Sequence, residues 1–338
     1  MRRFALAVLA VVLSSWPLAS CVAPPDPAAA WGEARSGHRV LLGGSDPRRG
    51  GGRLAIAAVD AAGRLTEIEW EMPWGGIHDV HRLANGNVMV QRGAAELVEI
   101  DVESRQVVWS HDSAARERNA GRRVEVHSFQ PLADGTVMIA ESGPARLVVV
   151  DRAGALVREL PLFVENPDPH RDTRLVRVLD GGTVLVCHEG DGCVREYALA
   201  TGALVWDFHV PLFGRERQGG HGQRAFGNQC FAALRLPSGN TLIATGNGHS
   251  VLEVSPAREI VWQLTQDELP GIALAWVTTL ELLENGHYVI GNCHAGPGQP
   301  LLIEIEPRTK RVVWRFDGWD EFGDAVSNSM LLDVRSRR

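Results

Sequence analysis

Histidines stand out among the residues of this sequence that could do chemistry. The chain holds 12 of them, and seven lie in short polar segments beside Asn, Glu or Arg. Those seven are His78, His81, His127, His188, His221, His249 and His294. Imidazole exchanges protons near neutral pH and is also the commonest ligand of transition metals. The pattern favours acid–base chemistry or metal binding, and both remain open because the histidines show no ordered ligand spacing.

The same segments carry other residues that could contact a ligand. We expect supporting contacts from His81, Arg174, Glu189, Asn228, Asn247, Trp276 and Asn292. The candidates for catalysis or for holding a divalent metal are His78, His127, His188, His221, His249 and His294. The segment Gly219-Gly220-His221-Gly222 is rich in glycine, so its backbone could approach a ligand closely.

The stretch from residue 219 to 262 shows which elements must position these side chains. Four apolar runs follow one another, CFAALRL, TLIAT, SVLEV and EIVWQL, with Gly, Asn and Pro between them. Apolar runs separated by turn residues predict a four-stranded antiparallel meander. About 40 residues per meander is the size of one β-propeller blade.

The same unit recurs along the chain. Glycines at positions 86, 135, 182, 239 and 286 mark the inner turn of successive units, which predicts blades near residues 78–112, 125–160, 173–209, 229–265 and 275–317. Most units end in an apolar residue followed by Trp, which we interpret as a packing wedge between neighbouring sheets. Trp is absent from the third unit, where Leu160 falls near the corresponding place.

A further blade is predicted from the two ends of the chain. Residues 38–70 supply three strands without an inner one, and residues 327–334 match an inner strand. Pairing these segments would close the ring and remove its exposed sheet edges. The fold class is therefore all-β, a six-bladed propeller over residues 37–338, with seven blades as the alternative.

Strand alternation decides where the polar residues lie. The loops leading into the inner strands and the loops between second and third strands must share one face of the ring, here called the mouth face. The seven histidines fall in or next to these loops, and the longest insertions, residues 162–172 and 211–229, reach the same face. Convergent polar groups in a concave surface predict a ligand site there.

The first residues predict export. Arg2 and Arg3 precede a short apolar run, so residues 1–20 are typical of a signal peptide, and Leu18-Ala19-Ser20-Cys21 resembles the box at which bacterial lipoproteins are cleaved and lipidated. Residues 21–36 are expected to form a flexible tether. We therefore expect a location outside the cytoplasm, anchored to a membrane through a lipid on Cys21 or secreted.

The remaining cysteines leave two alternatives. Cys187 and Cys193 flank the loop HEGDG between two strands, so they could form a disulfide across the hairpin in an oxidising compartment. Free buried thiols are the other interpretation. No CxxC zinc spacing occurs in the sequence.

Composition limits the partners. The chain of 338 residues is 45% hydrophobic and 22% charged, with a net charge of -7 and a single Lys. These values are typical of a globular protein. They argue against a nucleic-acid partner, because nucleic-acid phosphates bind to clustered Lys and Arg. We expect a monomer that binds a small polar or carbohydrate-type ligand.

Several motifs resemble those of a known group. HEGDGCVREY, NTLIATGNGHSVLEV, LAWVTTL and IGNCHAGP are similar to recurring motifs of secreted bacterial propellers built from quinoprotein-like (PQQ-like) repeats. The resemblance covers about residues 39–334 and implies a propeller fold and an extracytoplasmic setting. It carries over no catalytic residue and does not imply the cofactor PQQ.

Two more distant resemblances bear on activity. His78-Asp79 followed by Asn85-Gly86-Asn87 is similar to the inner strands of arylsulfotransferase propellers, which would imply a histidine as sulfuryl acceptor, although the N-terminal domain of that family is missing. Quinoprotein dehydrogenases would imply PQQ stacked on Trp74 or Trp276, but the adjacent Cys pair of the alcohol-oxidising branch is absent. PQQ is therefore not expected.

Two classes of function remain open. One is an enzyme for a small polar molecule in which histidines act as base or as metal ligands. The other is a non-catalytic scaffold that binds a ligand or protein, a role that the fold itself permits. Exposed aromatic residues on the loops would favour the scaffold.

Overall fold

Six antiparallel sheets follow one another in a ring in the computed structural model, which describes residues 37–46 and 51–338. The expected signal peptide, tether and Cys21 lie outside the described residues. Blade 1 combines strands from both ends of the described chain, and its innermost strand is the one that comes last in sequence. Its strands are β1 (His38–Asp46), β2 (Gly51–Val59), β3 (Leu65–Trp74) and β24 (Ser329–Leu331).

The next blades each use four consecutive strands. Blade 2 contains β4 (Val80–Arg82), β5 (Val88–Arg92), β6 (Glu96–Ile100) and β7 (Val107–Asp112). Blade 3 contains β8 (Glu125–Pro131), β9 (Val137–Ser142), β10 (Arg146–Val150) and β11 (Leu156–Pro161). Blade 4 contains β12 (Val176–Leu179), β13 (Thr183–His188), β14 (Cys193–Ala198) and β15 (Leu204–His209).

The last two blades complete the ring. Blade 5 contains β16 (Ala232–Arg235), β17 (Thr241–Ala244), β18 (Ser250–Val254) and β19 (Ile260–Thr265). Blade 6 contains β20 (Trp276–Leu283), β21 (Tyr288–Cys293), β22 (Leu302–Glu306) and β23 (Arg311–Phe316). A short strand that the sequence did not reveal, β25 (Ser336–Arg337), pairs with β20 and makes this sheet five-stranded. The six-bladed all-β fold is confirmed.

Helix is scarce among the described residues. The longest helical segment is α1 (Trp319–Phe322), and two three-residue 3₁₀ turns cover Glu117–Asn119 and Gln266–Glu268. None of these segments, within the described ranges, has the length and apolar character needed to cross a bilayer.

The predicted inner-turn glycines are required by backbone geometry. Gly86, Gly135, Gly182, Gly239 and Gly286 all have positive φ, between 75° and 87°. L-residues with a side chain adopt that region at a cost, whereas glycine does not. These glycines therefore fix the turn between first and second strands in five blades.

The ring closes where the sequence predicted. β24 pairs antiparallel with β1, so that Val40 lies opposite Leu331 and Leu42 opposite Ser329. Val40, Leu42 and Leu331 are fully buried or nearly so in a cluster that also contains Trp314 of blade 6. Closure therefore rests on both backbone pairing and apolar burial.

Repeated tryptophans join neighbouring blades. Indole Nε1 of Trp109, Trp206 and Trp314 donates to a backbone carbonyl of the following blade, at 2.8, 3.2 and 3.0 Å respectively. Trp262 does the same at 2.9 Å. The interpretation of these residues as wedges between sheets is confirmed.

The third unit needs one correction. Register places Arg158, not Leu160, at the Trp position, because Val149 pairs with Arg158 as Glu99 pairs with Trp109. Arg158 Nη1 donates to the carbonyl of Leu199 at 3.3 Å, so the link to the next blade is kept by a different side chain.

A buried ion pair lies where four inner strands approach one another. Arg177 makes two hydrogen bonds to the Asp79 carboxylate, at 2.9 and 3.0 Å. Asn328 Nδ2 and Ser128 Oγ also donate to it, at 3.0 and 2.8 Å. Asp79 thus connects blades 1, 2, 3 and 4, and it fixes the backbone beside His78.

Of the two alternatives for Cys187 and Cys193, a disulfide or free buried thiols, the disulfide is wrong. Cys187 and Cys193 are both free and buried. Register pairs Cys187 with Val194, and His188 with Cys193. Because side chains alternate along a strand, the two thiols point to opposite faces of the sheet.

Candidate functional site

Three imidazoles meet on the mouth face where blades 2, 3 and 4 adjoin. His78 precedes β4, His127 lies in β8, and His170 lies in the insertion before β12. Ring centroids are 4.7 Å apart for His78 and His127, and 5.1 Å apart for His127 and His170. Together with Glu125 these residues form what we call the histidine cluster. Two of the predicted histidines are therefore brought together.

The carboxylate of Glu125 connects two of the rings. Its Oε2 lies 3.0 Å from Nε2 of His127 and 2.7 Å from Nδ1 of His170. Arg123 binds the other oxygen. The hydrogen bond from His127, followed by those from His170 and Arg123, outweighs burial and holds the pKa of Glu125 far below its ordinary value. Glu125 is therefore ionised at neutral pH.

Polar contacts within the insertion place His170 over the cluster. The Asp172 carboxylate accepts the backbone N–H of Asp168 at 2.6 Å and that of Gly143 at 2.8 Å. Asp168 in turn accepts the N–H of His170 at 2.9 Å. These local hydrogen bonds fold a segment that has no strand of its own.

The tautomer of His78 is fixed by Gln91. Gln91 Oε1 accepts the backbone N–H groups of His78 and Asp79, at 3.0 and 2.9 Å, which sets the orientation of the amide. Its Nε2 therefore donates to Nδ1 of His78 at 3.1 Å. A neutral His78 consequently carries its hydrogen on Nε2.

Burial keeps two of these rings uncharged at neutral pH. Burial, helped by the proximity of His127 and Arg174, holds the pKa of His78 well below its ordinary value. Burial and the Arg174 charge lower the pKa of His127 to about 4, although Glu125 opposes the shift. Neutral imidazoles are the form that accepts a proton or coordinates a cation.

Arg174 and Glu189 lie at the edge of the cluster as a buried ion pair. Gln229 Nε2 donates to the Glu189 carboxylate at 2.8 Å, and Arg174 Nη1 donates to the carbonyl of His170 at 2.6 Å. The Arg174 guanidinium also lies 5.9 Å from the centre of the Phe231 ring. Both predicted residues are thus at the site, where each neutralises the other.

A second group of rings lies over blade 6. His221 is 5.0 Å from Trp276 and 5.0 Å from His294, measured between ring centroids. Gln223 Nε2 donates to the carbonyl of Ala295 at 2.6 Å, which anchors the glycine-rich loop there. We call His221, Trp276 and His294 the tryptophan cluster. All three were predicted site residues.

His249 belongs to neither cluster. It follows β17 with a positive φ of 55°, and its ring packs edge-on against Phe226, 6.1 Å between centroids. Its buried Nε2 has no hydrogen-bond partner among the described residues. Burial lowers the pKa of His249.

Two predicted histidines do not present their rings to the mouth. His188 is fully buried, with Nδ1 2.7 Å from the carbonyl of Asp172 and Nε2 3.0 Å from the Tyr197 hydroxyl, so both nitrogens are used. His81 Nε2 lies 2.9 Å from the carbonyl of Phe129, and the residue lines a cavity of about 900 Å³ on the opposite face. Strand position alone did not reveal which way these rings point.

The predicted asparagines hold loops in place. Asn292 binds one backbone N–H and two backbone carbonyls, at 3.0, 2.9 and 3.1 Å. Asn247 accepts from the backbone and donates to the side chain of Gln229, at 3.0 and 2.6 Å. Asn228 Nδ2 donates to the carbonyl of Val210 at 3.1 Å. Their amides stabilise the walls of the mouth.

Glu125 and His170 were absent from the predicted site residues. Glu125 begins β8 and His170 lies in the insertion before β12, and the sequence had already assigned both segments to the mouth face. The available signal was the sequence Glu125-Val126-His127, since residues two apart on a strand point to the same side. For His170 the only signal was its place in a polar insertion.

The family profile described as outer membrane protein assembly factor BamB (PQQ_2) matches residues 52–316. The chain belongs to this family. This match confirms the predicted propeller of PQQ-like repeats. None of the curated proteins matches the sequence.

A solved structure shares the fold of this PQQ_2 propeller. It is a protein of unknown function from Bacteroides caccae, 22% identical, with a TM-score of 0.69 over 88% of this chain and 100% of its own. Two others are less similar. The WD40 propeller domain of Doa1 is 13% identical, with a TM-score of 0.48 over 73% of this chain and 74% of its own. A catalytically inactive virginiamycin B lyase from Staphylococcus aureus is 10% identical, with a TM-score of 0.49 over 72% of this chain and 70% of its own.

Proposed function

We propose that this protein is an extracytoplasmic enzyme that acts on a small polar molecule held at the mouth of the propeller. The observation that carries the proposal is the histidine cluster, in which His78 and His127 are neutral and in contact on the mouth face. Neutral imidazoles beside a carboxylate can move a proton or hold a cation that activates an oxygen.

The contacts of the site favour an oxygen-rich ligand. His78 Nε2–H is a directed donor that is committed to no other group among the described residues, because Gln91 occupies Nδ1. Phe231 stacks near His78 at 6.4 Å, and Trp276 offers a second ring at the other cluster. Hydroxyl or carboxylate oxygens beside such rings suit a carbohydrate-type molecule.

A thermal-shift screen tests the proposal. The panel would hold N-acetylglucosamine, glucuronate and 4-nitrophenyl sulfate, so that sugars, sugar acids and sulfated phenols are each represented. We expect at least one compound to raise Tm in wild type and not in His78→Gln. The matched control is His209→Gln, which changes a half-exposed histidine at the end of blade 4. No shift by any compound, or an equal shift in His78→Gln, would contradict the proposal.

The extracytoplasmic setting is supported by the N-terminal sequence. Residues 1–20 have the pattern of a signal peptide, and Cys21 stands at the lipidation position. Cell fractionation of wild type and Cys21→Ser tests it. We expect the wild type in the membrane fraction and the variant in the soluble extracytoplasmic fraction, whereas retention of both in the cytoplasm would refute the assignment.

A binding scaffold is the second candidate, supported by exposed aromatic residues on the mouth face. Phe163 and Phe213 lie in the two long insertions and are 58% and 55% exposed. The family description names an assembly factor, which is consistent with a protein partner. A photo-crosslinking residue at 163 and at 213 should capture one and the same protein, and the same residue at exposed Val108 should not. Different products at the two sites would argue against a scaffold.

A further inference from the structure

One oxygen of Glu125 receives two imidazole nitrogens. Nε2 of His127 and Nδ1 of His170 lie 3.0 and 2.7 Å from Oε2, and one ligand atom from each residue falls within 4.8 Å of the others. Two nitrogens and one carboxylate oxygen at this spacing match the donor sets that proteins use for divalent transition metals. Ligand atoms around a tetrahedral zinc, each about 2.1 Å from the ion, lie roughly 3.4 Å apart.

The hydrogen-bond pattern of His127 points in the same direction. Its Nδ1 lies 3.0 Å from the carbonyl oxygen of Thr173, which can only accept, so Nδ1 carries a hydrogen. Nε2 is therefore the nitrogen that faces Oε2 of Glu125. A proton on Nε2 or a bound cation can bridge these two atoms, and a cation would also engage Nδ1 of His170.

The two arginines beside the cluster bind other groups. Arg123 binds Oε1 of Glu125 and leaves Oε2 to the histidines. Arg174 is paired with Glu189 and bonded to the backbone carbonyl of His170. Oε2 of Glu125 therefore faces two imidazole nitrogens, one from His127 and one from His170.

We infer that Glu125, His127 and His170 bind one divalent transition-metal ion, with zinc or a chemically similar ion as the occupant. The contact between His127 Nδ1 and a backbone carbonyl is the outer-shell bond that orients a metal-binding imidazole and raises its basicity. Three protein ligands would leave a coordination position open, and the ring of His78 lies nearby, 4.7 Å from that of His127. That position would take an oxygen of the ligand.

The inference deepens the proposed function and rests on it only for the identity of the ligand. Metal binding is therefore measured with no organic compound present. If the metal binds and the compound screen fails, the inference stands without the enzyme. If compounds bind but no metal does, the proposed function stands and the inference falls.

Cobalt and zinc titrations provide the test. Protein without a His tag is dialysed against a chelator and then titrated with Co²⁺, followed by visible absorption, and with Zn²⁺, followed by calorimetry. We expect one equivalent of each to bind. His170→Gln should weaken binding at least about 100-fold, because it removes a ligand outright.

The variants are chosen so that folding and metal binding can be separated. The His170 side chain is 51% exposed, and that of the control, His209, is 52% exposed, so both Gln variants should keep the wild-type Tm. Glu125→Gln keeps the shape of the side chain and should also lose binding. Failure of wild type to bind either ion, or equal binding by wild type, His170→Gln and Glu125→Gln, would overturn the inference.

Discussion

Nε2 of His38 lies 3.1 Å from a carboxylate oxygen of Glu304, although 266 residues separate them. Nδ1 of the same ring lies 3.0 Å from the carboxylate of Asp333. His38 begins blade 1, Glu304 belongs to blade 6, and Asp333 follows the closing strand β24. A single buried imidazole therefore connects blade 1 with blade 6 and with the segment after β24, at the place where the ring closes.

This connection should make stability depend on pH. Burial by itself would lower the pKa of His38. The hydrogen bonds and negative charges of Asp333 and Glu304 outweigh burial and raise the pKa to about 9. Because the folded pKa exceeds the unfolded value of 6.5, the stabilisation is complete below pH 6.5 and is lost as pH rises through 9. We expect a loss of about 3 kcal/mol.

Urea unfolding across that pH range measures the effect. His38→Gln should unfold with a smaller pH dependence than wild type, whereas His209→Gln should follow wild type. An unchanged pH dependence in His38→Gln would show that another group carries the effect.

The Asp79–Arg177 pair should be essential for stability. Both side chains are buried, so Asp79→Ala leaves a guanidinium without its partner, and we expect a loss of about 3–5 kcal/mol. The control is Glu96→Ala in the more exposed Arg92–Glu96 pair, where we expect a loss below about 1 kcal/mol. Equal losses in the two variants, measured by urea unfolding, would show that burial does not govern the strength of the central pair.

Each tryptophan link between blades should stabilise the fold in two ways, by the indole hydrogen bond and by burial of the ring. Trp314 is 3% exposed and donates to the carbonyl of Asp60 in blade 1. Trp314→Phe removes the N–H and should cost about 1 kcal/mol, while Trp314→Ala also opens a cavity and should cost about 3–5 kcal/mol. Val108→Ala, at an exposed site, serves as control in the same unfolding assay. A Phe variant as unstable as the Ala variant would show that the hydrogen bond dominates.

The four described cysteines should remain reduced and unreactive in the folded protein. Cys187, Cys193, Cys230 and Cys293 are free and buried, and burial raises the pKa of Cys293 to about 12. Iodoacetamide should modify them only after denaturation, because the thiolate is the nucleophile. Peptide mass spectrometry measures this, and a linked Cys187–Cys193 peptide would contradict the register of β13 and β14.

The sequence predicted the blades because each one repeats the same local physics. Inner-turn glycines, apolar runs and terminal tryptophans all reflect short-range requirements of a four-stranded meander. Leu160 was assigned to the Trp position of the third unit because it is a large apolar residue near the right place. In the structure Arg158 occupies that position, and it donates to a backbone carbonyl of the next blade as the tryptophans do.

The site was harder to predict because residue type does not determine side-chain direction. His127 and His188 both lie in strands and both were candidates, yet one contacts the cluster and the other is satisfied inside its sheet. His170 lies in an insertion that has no periodicity, so its approach to Glu125 depends on the hydrogen bonds of Asp172. The contact between His170 and Glu125 is tertiary and leaves no pattern in the sequence.

The pairing of β24 with β1 also governs when the protein can fold. Val40 finds its partner, Leu331, only after the five intervening blades have been synthesised. Until then β1 lacks its inner neighbour, and a nascent chain with five assembled meanders still presents an unpaired strand edge. The closing step brings together distant parts of the described chain, so its loop-closure entropy is large and we expect it to be a slow final stage. Protection from aggregation during that interval is therefore a requirement that the architecture itself imposes.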